Sequence, residues 1–186
     1  MSSSSSTAIH YLRHTLVTVG ALVAAAVFGG LVLMYSGTFN VAATAVDSSI
    51  LSWALVTVRE SSIGLHARDV PAPPAGFVAD PDNGFRLYRA QCAMCHTPVG
   101  RTPQPMALGF NPQAPRFGPG ADDMSAAELF WVTKNGIRFT GMPAWGPSLS
   151  DGEIRDITAF VMELPGMTPA AYDALDARFP EDAGTP

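Results

Sequence analysis

Apolar and polar positions alternate in clearly different ways along this chain, and the first contrast is the sharpest. Between His14 and Asp47 no side chain is charged, and residues 15–35 (TLVTVGALVAAAVFGGLVLMY) are almost wholly apolar. As a helix they would cover about 31 Å at 1.5 Å per residue, the depth of a bilayer's hydrocarbon core. A single transmembrane helix is therefore predicted over 15–35. Residues 48–66 (SSILSWALVTVRESSIGLH) carry Leu51, Leu55 and Val58 at helical spacing behind a capping Ser48 or Ser49. Their uninterrupted apolar run, about nine residues, is too short to cross a membrane. A juxtamembrane helix is expected there, lying on the membrane surface or against a partner. PAPPAG at 71–76 then reads as a stiff, extended linker and a domain boundary.

Beyond it the pattern predicts three helices joined by loops rich in proline and glycine. Asp80-Pro81 is an N-cap and first-turn pair opening a helix through GFRLYRAQ toward Cys92. Ser125-Ala-Ala-Glu128 and Ser150-Asp-Gly-Glu153 are capping boxes. The first starts a helix that stops at Asn135-Gly136. The second starts one with Ile154, Ile157, Phe160, Val161 and Leu164 on a single face, ended by Pro165-Gly166. The chain shows no stretch that alternates as a strand. It divides into a cytoplasmic N-terminus (1–14), the transmembrane helix (15–35), the juxtamembrane helix and linker (36–76), a globular domain (77–166) and an acidic tail (167–186). The tail, with Asp173, Asp176, Glu181 and Asp182, is expected to add one short helix near 170–178 and to end in disorder.

Composition and charge narrow the function. Apolar residues make up 47% of the chain and charged ones 15%, more hydrophobic than a simple soluble domain. A net charge of −5 leaves no basic stripe to neutralise phosphates, which excludes nucleic acid as a partner. Arg13 precedes the apolar run and the first charge after it is Asp47, so the positive-inside rule places the N-terminus in the cytoplasm and the rest outside. Ala43-Thr44-Ala45 offers a signal-peptidase-like site, but the apolar core exceeds the roughly 7–15 residues of a signal peptide, which favours an uncleaved anchor.

The chemistry resides in Cys92-Ala-Met-Cys95-His96. Two thiols spaced in this way at a helix end can add to the two vinyl groups of one porphyrin, and the next residue's imidazole is then carried beneath the iron. A zinc site would need two more ligands, yet the other histidines are His10, His14 and His66 and no other cysteine exists. A thioredoxin-like redox pair would need βαβ context.

Residues 78–165 resemble a class I monohaem cytochrome c. Gly84, Tyr88 and Cys92 match that family's first helix, Gly141-Met142-Pro143-Ala144-Trp145 its methionine loop, and Phe160 the aromatic of its last helix. The resemblance implies an all-α, haem-wrapping fold with one covalently bound haem c, preceded here by the membrane helix and the juxtamembrane helix. Cys92 and Cys95 would be the attachment points, and His96 and Met142 the iron ligands. Of the methionines, only Met106 and Met142 lie in long loops, and Met142 also fits the family motif. Met124 sits beside a helix cap. Trp131 and Trp145 could flank the haem or serve as core, and Arg101, Arg116 or Arg138 could meet a propionate. His96 is expected to donate its second ring N–H to a carbonyl within the Pro-rich stretch 98–115.

A Met/His pair leaves no open iron site and suits outer-sphere electron transfer. The expected function is thus a non-enzymatic, one-electron carrier on the periplasmic side of a bacterial inner membrane, held in lipid by one helix. It would exchange electrons with a dehydrogenase, a quinol-oxidising complex or a terminal oxidase, or act as a subunit of such a complex. The alternative is a catalytic or gas- or peroxide-sensing haem with a labile distal ligand.

Overall fold

The computed structural model describes residues 3–118 and 124–180, with side chains from residue 8 onward. The chain separates into two compact units, one ending at Ala45 and one beginning at Val46.

The first unit is a single helix, α1 (Ser3–Tyr35, 33 residues). Its stretch Ala8–Tyr35 has 28 residues, a mean hydropathy of 2.5 and no buried positions within the structure. The helix begins further toward the N-terminus than the apolar run, because the polar turn around His10 and His14 continues it. These two rings, four residues apart on one face, stack at 4.4 Å.

The second unit is all-helical among its described residues. It contains α2 (Ser49–His66), α3 (Pro81–Gln91), α4 (Ala126–Asn135), α5 (Asp151–Glu163) and α6 (Pro169–Arg178), with short 3-10 turns at Ala67–Asp69, Pro105–Gly109 and Leu164–Gly166. Each helix starts where its sequence supplies a side-chain acceptor. Ser48 accepts from the Leu51 amide, and Asp80 from the amides of Asp82 and Asn83. Ser125 with Glu128 and Ser150 with Glu153 form complete capping boxes.

The core is the crossing of α3 and α5. A Cβ at Gly84 would stand 2.0 Å from the Asp156 carbonyl oxygen and 2.9 Å from Cβ of Phe160, so the backbones meet there with no room for any side chain. Phe85, Tyr88, Ile157, Phe160, Leu164 and Tyr172 close around this point. Phe85 meets Phe160 and Tyr172 edge-on, at 5.4 and 5.5 Å. Asp156, itself buried, accepts from the Asp80 amide (2.8 Å) and the Asn83 side-chain amide (2.9 Å), which ties the start of α3 to the middle of α5.

The face of α2 that carries Leu55 and Val58 is exposed, whereas Ile63 and the following Ala67 are buried. Helix α2 contacts α4. His66 stacks on Trp131 at 5.2 Å, and Arg155 of α5 donates to the Pro71 carbonyl (2.7 Å). Pro71, which opens the Pro-rich stretch 71–76, is thereby tied to α5.

The acidic tail also packs. Tyr172 of α6 is 2% exposed in the core, Arg101 bridges Asp173 and Asp176, and Arg178 pairs with Asp82. Glu181 and Asp182, and the disorder expected of the tail's end, lie outside the described residues.

Candidate functional site

The last turn of α3 builds the first wall of the site. Cys92 caps the helix, its amide donating to the Tyr88 carbonyl (2.8 Å), and the chain then coils tightly. The amides of Cys95 and His96 both return to the Cys92 carbonyl, at 3.0 and 2.8 Å. This turn places two thiols and an imidazole on one surface. Both cysteines are free, Cys92 buried and Cys95 half-buried. Burial pushes the Cys92 thiol up to about 12, with the neighbouring Cys95 adding to it, and raises the Cys95 thiol as well.

His96 is 8% exposed and held from three sides. Its Nδ1 lies 2.9 Å from the Pro115 carbonyl, its ring stacks on Phe117 at 4.7 Å, and its own carbonyl accepts the Tyr88 hydroxyl at 2.7 Å. A carbonyl can only accept, so Nδ1 carries the hydrogen and the Nε2 lone pair is free for a metal. Burial lowers the imidazole's pKa, partly opposed by the Pro115 hydrogen bond. The neutral, ligating form is therefore favoured. Burial also raises the pKa of the Tyr88 hydroxyl, which stays a donor.

The opposite wall is the loop after α4. Gly136 ends the helix at φ +68, and a Cβ there would come within 2.8 Å of the backbone of residues 142–144. Glycine is required on both counts. The loop is closed by the Ile137 amide to the Met142 carbonyl (3.1 Å), the Met142 amide to Thr140 Oγ1 (3.1 Å), and the Trp145 amide to the Thr133 carbonyl (3.1 Å). Met142 is half-buried by this arrangement.

Between these walls lies a cavity of about 350 Å³, lined mainly by apolar side chains. Cys92, Cys95, His96 and Met142 all face it. Its size and apolar walls suit a flat, hydrophobic ligand. Two thiols, a tautomer-locked imidazole and a thioether form the donor set a covalently attached haem needs. The residues present fit that group.

The structure sorts the remaining sequence candidates. Trp145 lines the cavity, whereas Trp131 packs on His66 and does not. Met106, on the 3-10 turn, is 49% exposed and off the wall. Met124, set aside beside its helix cap, does line the cavity. Arg101 is engaged with α6, and neither Arg116 nor Arg138 contributes to the wall. Sequence reasoning missed Phe117, which stacks on His96, and the α2 residues Arg59, Glu60 and Ile63, which line the cavity. The four-residue spacing of Arg59, Ile63 and Ala67 was the available signal.

Comparisons with known proteins match the part of the chain that builds this site. Residues 79–161 match the family model described as cytochrome c oxidase, cbb3-type, subunit III. Cytochrome c6 of Thermosynechococcus vestitus and cytochrome c6 of Thermostichus vulcanus are each 27% identical over 94 residues, covering 50% of this chain and 79% of the relative.

Proposed function

We infer the function from one premise: residues 79–161 are a class I c-type cytochrome domain, with haem c attached covalently, and domains of this class transfer electrons. We propose that the chain is a membrane-anchored one-electron carrier, non-enzymatic, with Cys92 and Cys95 as thioether attachment points and His96 and Met142 as the two iron ligands. The bound group supplies reversible one-electron exchange between ferrous and ferric iron. The residues of the chain do the rest. Pro115 and Tyr88 orient His96, the hydrogen bonds of residues 137–142 hold Met142 against the cavity, and the apolar walls exclude water. Low local polarity and a methionine ligand favour the ferrous state and a raised potential.

The single observation that carries this reading is that the CxxCH turn and Met142, 46 residues beyond His96 in sequence, line one apolar cavity. The anchor is supported by α1, which is long and apolar enough to cross a bilayer, and its outward direction by Arg13 before the span and Asp47 after it. Redox partners are a terminal oxidase, in line with the matched family, or a dehydrogenase or quinol-oxidising complex on the periplasmic face. Protease treatment of spheroplasts tests the topology. The expected result is release of a soluble, haem-staining fragment through cleavage between α1 and α2. A haem-staining chain protected in intact spheroplasts, or extracted from membranes at alkaline pH without cleavage, contradicts it.

A further inference from the structure

A haem carries two propionates, and a carboxylate brought to an apolar wall needs a charged or multiply hydrogen-bonding partner. Among the described residues lining the cavity, Arg59 is the one guanidinium, and there is no lysine. It comes from α2, outside residues 79–161. Its side chain is 32% exposed, so it sits at the rim, where a carboxylate could keep partial hydration. Its present partner is Glu60, which takes Nε at 3.0 Å and Nη2 at 2.6 Å through a single oxygen. Adjacent helix positions do not face one another, and an exposed pair of this kind stabilises little. Nη1 makes no hydrogen bond among the described residues. Two of its five N–H groups are used, and three remain for a second carboxylate, one on Nη2 and both on Nη1.

We propose that Arg59 binds a haem propionate, so that α2 is a wall of the haem site and not a spacer between membrane and cytochrome. Ile63, one turn on and buried, supplies the apolar contact beside it. This inference rests on the haem reading above and extends it to residues that the cytochrome family match does not cover. The consequence is mechanical as well as electrostatic: the membrane-proximal helix is held to the domain by the cofactor itself.

The test uses the full-length, detergent-solubilised holoprotein with ¹³C-labelled propionates, its redox-difference infrared spectrum and its midpoint potential at fixed pH. Arg59→Gln should move the labelled carboxylate band and lower the midpoint, because loss of a positive charge favours the ferric state. Arg59→Lys should also move the band, since a point ammonium replaces the planar fork, but it should leave the midpoint near that of the wild type. Covalent haem content and the low-spin spectrum should stay unchanged in both. A labelled band that stays in place in Arg59→Lys, whether or not Arg59→Gln accumulates, overturns the proposal even if the midpoint moves, because a distant charge could do that alone. Absence of covalent haem from the wild type would instead sink the haem reading.

Discussion

The hydroxyl of Tyr88 donates to the backbone carbonyl of His96 at 2.7 Å, across a turn of eight residues that also holds both cysteines. Tyr88 is fully buried and packs on Phe160 at 5.3 Å, so the position of the imidazole is coupled to the α3–α5 crossing. Replacing Tyr88 by Phe keeps the ring and deletes the donor. The His96 carbonyl would be left without that partner, at a cost of about 1–3 kcal/mol. Denaturant unfolding should show this loss with haem still attached, and an unchanged midpoint of unfolding would mean the hydrogen bond contributes nothing.

The crossing itself gives a harsher prediction. The obstacle to a Cβ at Gly84 is the Asp156 carbonyl, which is backbone and cannot swing away as a flexible side chain would. Gly84→Ala must therefore separate α3 from α5, and overpacking against backbone should cost at least about 3 kcal/mol. The expected outcome is little or no accumulated holoprotein. Wild-type levels of haem-staining protein would show that the helices adjust freely.

Two methionines, Met124 and Met142, share the cavity wall, and they make a discriminating pair. Met142→Ala should abolish the methionine–iron absorption signature while leaving the haem covalently attached. Met124→Ala should preserve that signature, as should Met106→Ala, whose side chain lies off the wall. The opposite pattern for Met124 and Met142 would exchange their assignments.

The capping boxes predict a dependence on acid. In the folded chain the Ser150 hydroxyl and amide hold the Glu153 carboxyl below the usual carboxylate value, and Ser125 does the same for Glu128. A depressed folded pKa contributes stability above the unfolded pKa, and that stability is lost as pH falls through the usual carboxylate range toward the folded value. Glu153→Gln should therefore lose stability at neutral pH and show a shallower decline below about pH 4.5. Parallel acid-unfolding curves for variant and wild type would contradict it.

How much of this was legible in the sequence differs by element. The helices that begin with Asp80, Ser125 and Ser150 could be read because their caps are local, and Gly84 and Phe160 could be paired because the family motif names them. The α2 contribution shows in the sequence only as the four-residue spacing of Arg59, Ile63 and Ala67. Arg59 and Ile63 lie on the far side of a proline-rich stretch that looks like a linker, and only tertiary packing, with Pro71 accepting from Arg155, reveals that the stretch folds back. The sequence does show the short helix near 170–178, but not its contacts: Asp173 and Asp176 meet Arg101, and Tyr172 fills the core. On α2, Leu55 and Val58, on the face expected to meet the membrane surface or a partner, are exposed, while Ile63 and Ala67 are buried.

The central claim, a six-coordinate His/Met haem that carries one electron, is tested most directly by an optical redox titration of the detergent-solubilised chain, with CO added to the reduced form. The predicted result is a single one-electron transition between low-spin c-type spectra, with the ferrous spectrum unchanged by CO. A high-spin spectrum, or one that shifts on CO addition, would contradict it, because Met142 would then be absent from the iron or readily displaced.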